Sequence, residues 1–223
     1  MELIQADLAY DLWDIDGGEV PGEMVSGEVV VGIVDNSLEW DHPDLIDNIW
    51  QNLGEDADGD GVVIVQSGGS WIFDPGDVNG IDDDGDNYVD NFIGWDVAFN
   101  DNDPMPINNQ YDHGTNVAGC VSASTNNGTG IASVGWSIKL MGINSTDDPG
   151  FVTDGPQGIL TAGQMGADVI NLSFGGSGAC GGYQSIINTV YNNYGAIVVA
   201  SAGNGDANGN TTFEFHSPSG CDN

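Results

Sequence analysis

Unbroken apolar runs of strand length punctuate the chain at EVVVGIVD (28–35), FIGWDVAF (92–99), SIKLMGIN (137–144), ADVINLSF (167–174) and GAIVVASAG (195–203). Continuous rather than alternating runs predict strands buried on both faces, as in a parallel sheet. Between them lie segments of helical spacing: HGTNVAGCVSAS (113–124), VTDGPQGILTAGQMG (152–166) and GGYQSIINTVYNNYG (181–195). In the last of these Tyr183, Ile186, Ile187, Val190, Tyr191 and Tyr194 recur at steps of three and four, a core-facing stripe, and Gly195 offers a C-terminal stop. Alternation of strand and helix predicts a doubly wound α/β fold, a central and mostly parallel sheet with helices on both faces. Ligands in such folds gather at the carboxyl ends of the strands. Asp35, Asn171 and Asn204 stand at or near three such ends.

Residues 52–91 interrupt this rhythm as an acidic insertion. In NLGEDADGDGVVIV, Asp56, Asp58 and Asp60 alternate and Gly61 follows, so three carboxylates can converge while the glycine turns the chain. Calcium takes several oxygens presented by alternate residues of a turning loop, which is the chemistry this spacing suits. Asp82, Asp84 and Asp86 repeat the spacing in GIDDDGDNYVDN, with Asn87 in the place of Gly61 and Asp90 as a further candidate ligand. Neither loop is a complete EF-hand, because Ser67 and Ile93 stand where the twelfth-position glutamate would be. The plain alternative is a pair of solvated acidic loops, against which the density of like charge argues.

Charge sharpens that picture. The 223 residues hold 35 Asp and Glu against one Lys, Lys139, for a formal net charge of −34, and 39% are hydrophobic, enough for one domain with a real core. Such a surface repels phosphates and anionic lipids, so nucleic acid and membrane partners are not expected, and it attracts cations. No apolar run approaches the 18 or more residues of a membrane span. The opening ELIQADLAYDLWDID lacks the basic and apolar regions of a signal peptide, so the expectation is either a cytoplasmic protein or a targeting segment outside these residues. Of three cysteines, Cys120 falls in the apolar run after His113 and is expected as a buried thiol, whereas Cys180 and Cys221, in Gly/Ser-rich loops, are free to pair or not.

Three separated segments carry groups suited to acyl transfer. Asp35 ends an apolar strand, His113 begins a helix of small residues, and Asn204 lies in a turn after a strand with an amide able to donate to an oxyanion. Their order and flanking residues resemble the subtilisin-like serine proteases. An apolar strand ending in Asp is followed by H-P-D-L at His42 to Leu45, and H-G-T-x-V-A-G is met by His113 to Gly119. INLSFGG (170–176) resembles the family's cleft-lining strand, and SAGNG (201–205) its oxyanion segment.

The resemblance implies the family's three-layer α/β fold, with Asp35 as triad acid, His113 as general base and Asn204 as oxyanion donor. It also implies that Ser173, Phe174 and Gly175 pair with an extended substrate backbone as an added strand. Asp44, with Asn127 and the carbonyls near Thr129 and Ile131, resembles a further calcium site of the family, and some members carry an insertion like GIDDDGDNYVDNFIGWD between the Asp and His motifs. His42 is expected to be structural, and His216 lacks a motif context.

Departures are equally specific. The family's nucleophile lies in G-T-S-x-A-x-P, which occurs nowhere in the 223 residues, and Ser177, Ser217 and Ser219 lack its helical setting. The expectation is a partial peptidase domain over 1–223, its C-terminal part missing, inactive by itself and with apolar surface left uncovered. Asn36-Ser37 replaces the usual Ser/Thr-Gly after the acid, Asn116 replaces a histidine one turn past the base, and Cys120 stands where a small residue is usual. The complete protein is then expected to be a secreted, monomeric, calcium-stabilised serine endopeptidase acting on extended peptides. The rival is a non-catalytic calcium-binding or adhesion module on a protease-derived scaffold.

Overall fold

The computed structural model describes residues 6–20, 28–108, 110–148, 151–205 and 216–222. Each apolar run contributes a strand of a five-stranded sheet: β1 (Val30–Asp35), β4 (Gly94–Asp96), β5 (Lys139–Asn144), β6 (Val169–Leu172) and β8 (Ile197–Ala200). They lie in the order β4-β5-β1-β6-β8 and every pairing is parallel. The chain leaves β1 for one side of the sheet, at β4 and β5, and then crosses to the other, at β6 and β8. Order therefore reverses at β1, and the carboxyl end of that strand opens a crevice.

Both faces are covered because the strands carry apolar residues on both. Val31 and Ile33 of β1 join Leu38, Trp40, Ala118 and Leu140 on one side, while Val30 and Val34 join Met141, Ile159, Ala162, Ile170 and Val190 on the other. The first layer receives α2 (His113–Ser122), and the second receives α3 (Gly155–Gln164) and α4 (Gly181–Thr189). Val190–Tyr194 continue α4 as a π turn, closed by Gly195 at φ 77°, the stop expected from the sequence. A short α1 (Ala6–Tyr10) is tied to the body by Tyr10, whose hydroxyl donates to the Val134 carbonyl at 2.9 Å and whose ring meets Trp136 edge-on.

Helix α2 corrects one expectation. Its buried positions are Gly114, Ala118, Gly119 and Ser122, which puts Cys120 on the opposite face, where it is a free and exposed thiol. Helical geometry decides this: Cys120 is two residues from Ala118 and from Ser122, about 200° around the helix axis from each. Cys180 and Cys221 do form a disulfide, across 41 residues of sequence. It joins the start of α4 to the segment that follows β9 (His216–Ser217), itself paired antiparallel with β7 (Gly176–Ser177).

Within the insertion the chain forms a hairpin from β2 (Ile64–Ser67) and β3 (Ser70–Phe73), turned by Gly68 and Gly69. Phe73, at the end of β3, stacks on Trp40 and meets Phe92 at a tilt, so the hairpin is anchored in the same core as α2. On β8, Ile197 and Val199 remain about half exposed.

Strands β4 and β5 approach at Gly94 and Gly142. A Cβ on Gly94 would lie 1.8 Å from the Gly142 carbonyl oxygen, and its φ of 146° disfavours any side chain. Replacing Gly94 by Ala is expected to lower stability by on the order of 3 kcal/mol, read as a drop in urea midpoint at unchanged slope.

Candidate active site and acidic loops

Parallel register delivers the polar groups to one edge. Asp35 is level with Asn144, and Asn144 with Asp96, so three strands end together. Asp35 is 1% exposed, and its Oδ1 lies 2.8 Å from Nδ1 of His113. An ionised carboxylate only accepts, so Nδ1–H donates and Nε2 keeps its lone pair, the tautomer a general base requires. The imidazole itself is about half exposed.

The two segments are clamped together by their neighbours. Asn36 donates its backbone N–H to Asp35 Oδ1 at 2.8 Å, and its side-chain Oδ1 accepts the Gly114 N–H at 3.0 Å. That N–H belongs to the first turn of α2, where no intrahelical partner exists and Asp112 supplies no side-chain cap. Ser37 donates its hydroxyl to the Tyr111 carbonyl. Asn36-Ser37, a departure from the family pattern, thus ties the acid to the base. Gly114 completes the fit, because a Cβ there would lie 2.1 Å from the Ser37 carbonyl oxygen and 2.9 Å from the Asp35 Cβ.

A cleft of about 760 Å³ opens over this pair. Asp35, Asn36 and His113 form part of its lining, with Ser173, Phe174 and Gly175 along one wall and Asn204 also on its surface. Gly203 and Gly205, on either side of Asn204, have φ of 86° and 84°, a turn that only glycine enters freely. Every residue that the sequence assigned to catalysis or substrate therefore borders one cavity. Asn171, at another strand end, is turned to Ser173 Oγ at 3.0 Å. His42 is structural as expected, its Nδ1 accepting the Asp44 N–H at 3.1 Å, and His216 binds Ser219 Oγ through Nδ1 at 2.6 Å.

Among the described residues, acidic side chains gather in two places. Oxygens of Asp56, Asp58 and Asp60 come within 4.8 Å of one another, as the spacing predicted. In the second loop the grouping is Asp82 and Asp84 with Glu55, a residue the sequence reading passed over. Glu55 is fully buried and accepts the N–H groups of Asp83, Asp84 and Asp90. Asp86 instead accepts from Tyr88 N and Asn91 Nδ2, and Asp90 from the N–H groups of Asn79 and Gly80. Asp44, 3% exposed, accepts Asn127 Nδ2 at 2.8 Å on Oδ1 and the Ile131 N–H at 2.9 Å on Oδ2, so Asn127 turns its amide nitrogen rather than its oxygen to the aspartate.

Hard carboxylate and amide oxygens fit calcium and magnesium better than softer ions. Lys139, the one Lys or Arg of the chain, is held by the Asp47 carbonyl at 3.1 Å and Glu28 at 3.7 Å.

Residues 26–223 match the family model of the subtilase family, and the chain belongs to that family. It is 40% identical over 123 residues to a thermophilic serine proteinase of Bacillus sp. (strain AK1), covering 54% of this chain and 29% of that protein. It is 42% identical over 124 residues to thermitase of Thermoactinomyces vulgaris, covering 55% and 42% respectively. The crystal structure of fervidolysin from Fervidobacterium pennivorans superposes with a TM-score of 0.51 at 25% identity, over 80% of this chain and 22% of that one. The matched region thus spans less than half the length of each of these relatives.

Two predictions follow from the clamp and from burial. Asn36→Ala leaves the Gly114 N–H without its acceptor, at an expected cost of about 1–3 kcal/mol. It should also weaken the Asp35–His113 bond, read as loss or broadening of the low-field Nδ1 proton resonance. Burial pushes the carboxyls of Asp35, Asp96 and Asp103 above the ordinary carboxylate range, more than hydrogen bonds from His113, Phe99 and Trp40 respectively lower them. Between the unfolded and folded values the folded state binds more protons, so stability falls as pH rises through that window. The chelator-treated chain is therefore expected to melt at lower temperature as pH climbs from about 4 towards neutrality. A melting temperature that rises over the same range would show that these carboxyls are stabilised as anions.

Proposed function

We propose that residues 1–223 carry the acid, base and oxyanion donor of a subtilisin-like serine endopeptidase that acts outside the cell, the nucleophilic serine being supplied from outside this stretch. The observation that carries the reading is the 2.8 Å Asp35–His113 bond at a cleft that Asn204 also lines. In the complete protein His113 Nε2 takes the proton of the serine hydroxyl as it attacks the peptide carbonyl, and later returns it to the leaving amine. Asp35 holds the imidazole in the required tautomer and stabilises the imidazolium. The Asn204 amide donates to the developing oxyanion, and the backbone of Ser173 to Gly175 pairs with an extended substrate. In subtilisin, the reference case and not a measurement on this chain, loss of the equivalent amide costs roughly 10²–10³ in kcat.

Calcium has a separate, structural part in this proposal. Asp56, Asp58 and Asp60 in one loop, Glu55, Asp82 and Asp84 in the next, and Asp44 with Asn127 near α2 are the groups that would hold it. Bound there, the ion neutralises carboxylates that have no basic side chain to meet them. Its supply outside the cell suits loops built this way. Among the described residues no helix is long and apolar enough to cross a membrane.

The test uses the 223-residue chain with an activated ester of a blocked, extended peptide. No stoichiometric burst of leaving group is expected, while the matching peptide amide should shift the backbone resonances of Ser173 to Gly175 and the ring signals of His113. A burst would place a competent nucleophile within the 223 residues. Absence of the shifts, with calcium still raising the melting temperature, would favour a cation-binding module on this scaffold.

A further inference from the structure

A buried tyrosine stands two residues before the base and takes no part in the proton path. Tyr111 is 5% exposed and lies in the turn that enters α2, its N–H donating to the Asn108 carbonyl at 3.0 Å. Its own carbonyl accepts the Ser37 hydroxyl, so its backbone belongs to the clamp between acid and base. Its side chain goes elsewhere. The Tyr111 hydroxyl donates to the Asp147 carbonyl at 2.5 Å, 36 residues further along the chain. Burial, and after it the nearby Asp147 and Asp148, pushes the phenol above its ordinary range, so the group stays a donor.

The segment that receives this bond follows β5. Its neck is closed by the Asp154 N–H donating to the Ser145 carbonyl at 2.9 Å, while the Ser145 N–H donates to the Asp35 carbonyl at 2.8 Å. Thr146, with no exposure, organises the interior: its Oγ1 accepts the Asp148 N–H at 2.8 Å and donates to the Phe151 carbonyl at 2.6 Å. Phe151 and Val152 then line the same cleft as His113 and Ser173 to Gly175. Phe151 is 75% exposed, so its position is set by the backbone of its segment and not by packing of its ring. Apolar contact has no direction, whereas a hydroxyl-to-carbonyl bond fixes a distance and an angle.

We propose that Tyr111 is a positioning residue of the peptide cleft: its hydroxyl holds the rim that carries Phe151 and Val152 at a set distance from the Asp35–His113 pair. The proposal rests on the peptidase reading above and adds a residue that is neither acid, base, oxyanion donor nor substrate-pairing strand. A peptide paired with Ser173 to Gly175 alone gains nothing from that rim. One long enough to lay an apolar side chain on Phe151 and Val152 does, and its grip then depends on the rim being held in place before it arrives.

Titration of the 223-residue chain with blocked peptide amides, followed by backbone and imidazole resonances, tests this with Tyr111→Phe, which removes one oxygen and keeps the ring. Wild type is expected to bind an apolar hexapeptide amide more tightly than a tripeptide amide, the longer one also shifting Phe151 and Val152. Tyr111→Phe should bind the hexapeptide about three- to tenfold more weakly, the worth of one neutral hydrogen bond, and the tripeptide as wild type does. It should keep the low-field Nδ1 proton of His113, because the Ser37 bond uses the Tyr111 backbone. Thr146→Val, which releases the Phe151 carbonyl from within the segment, should give the same split by an independent route. Tyr10→Phe loses a hydroxyl-to-carbonyl bond outside the cleft lining and should change neither affinity, whatever it does to the melting temperature. Unchanged hexapeptide affinity in Tyr111→Phe, equal losses for both peptides, or loss of the Nδ1 proton would make Tyr111 a purely structural residue and overturn the proposal, leaving the peptidase reading intact. Failure of wild type to bind either peptide would overturn that reading and the proposal with it.

Discussion

A carboxylate removed from water must find donors for its oxygens or a cation, and in a chain with 35 acidic residues and one lysine the second kind of partner cannot come from basic side chains. The structure answers this requirement case by case. Asp35 receives an imidazole and a backbone N–H on Oδ1, though its Oδ2 is buried without a partner. Glu55 receives three backbone N–H groups. Asp77 receives two on one oxygen and none on the other. The acid–imidazole pair and the acidic clusters are thus two outcomes of one shortage: where a histidine is at hand the buried acid orients it, and where none is, acids collect around a shared space.

The parallel sheet decides which outcome falls where. Strand order reverses at β1, so Asp35 opens into the crevice and can meet a side chain from α2, the helix between β4 and β5. The insertion hangs between β1 and β4, and its neck is pinched by the Asn52 N–H donating to the Phe92 carbonyl at 2.7 Å and Asn52 Nδ2 to Asn91 Oδ1 at 2.8 Å. With its ends held together, the insertion can organise its own polar interior without altering the register of the sheet. That separation explains how a fold can carry a long acidic excursion between its acid and its base.

The sheet was legible because burial on both faces leaves continuous apolar runs, and each run holds a strand, although only Gly94–Asp96 of the 92–99 run is extended enough to pair. The Asp35–His113 pairing and the cleft around it were legible because their neighbours are constrained: Gly114 by close approach to Ser37, and the residues around Asn204 by positive φ. The hairpin at 64–73 escaped notice because its strands are four residues each and half exposed, so neither period nor burial stands out. Glu55 and Asp77 escaped for another reason. Each is one acid among many in the sequence, and what distinguishes it is burial, a property of the folded neighbourhood. Cys120 was misjudged because mean apolarity of a run says nothing about which side of a helix a given residue takes.

Asn36 shows how a departure from a family pattern can be read physically. The residue after Asp35 must let the chain turn towards α2, and a glycine nearby would do so through backbone freedom alone. Here a side-chain amide oxygen accepts the Gly114 N–H, and a serine hydroxyl reaches the Tyr111 carbonyl, so the turn is held by two directed bonds to the segment that carries the base. Directed bonds restrict the imidazole more than a flexible turn does, because any rotation of α2 away from β1 would break the Gly114 bond before the Asp35–His113 distance could lengthen far. The substitution replaces conformational permissiveness with a polar clamp, and the 2.8 Å separation of acid and base is the geometry that clamp maintains.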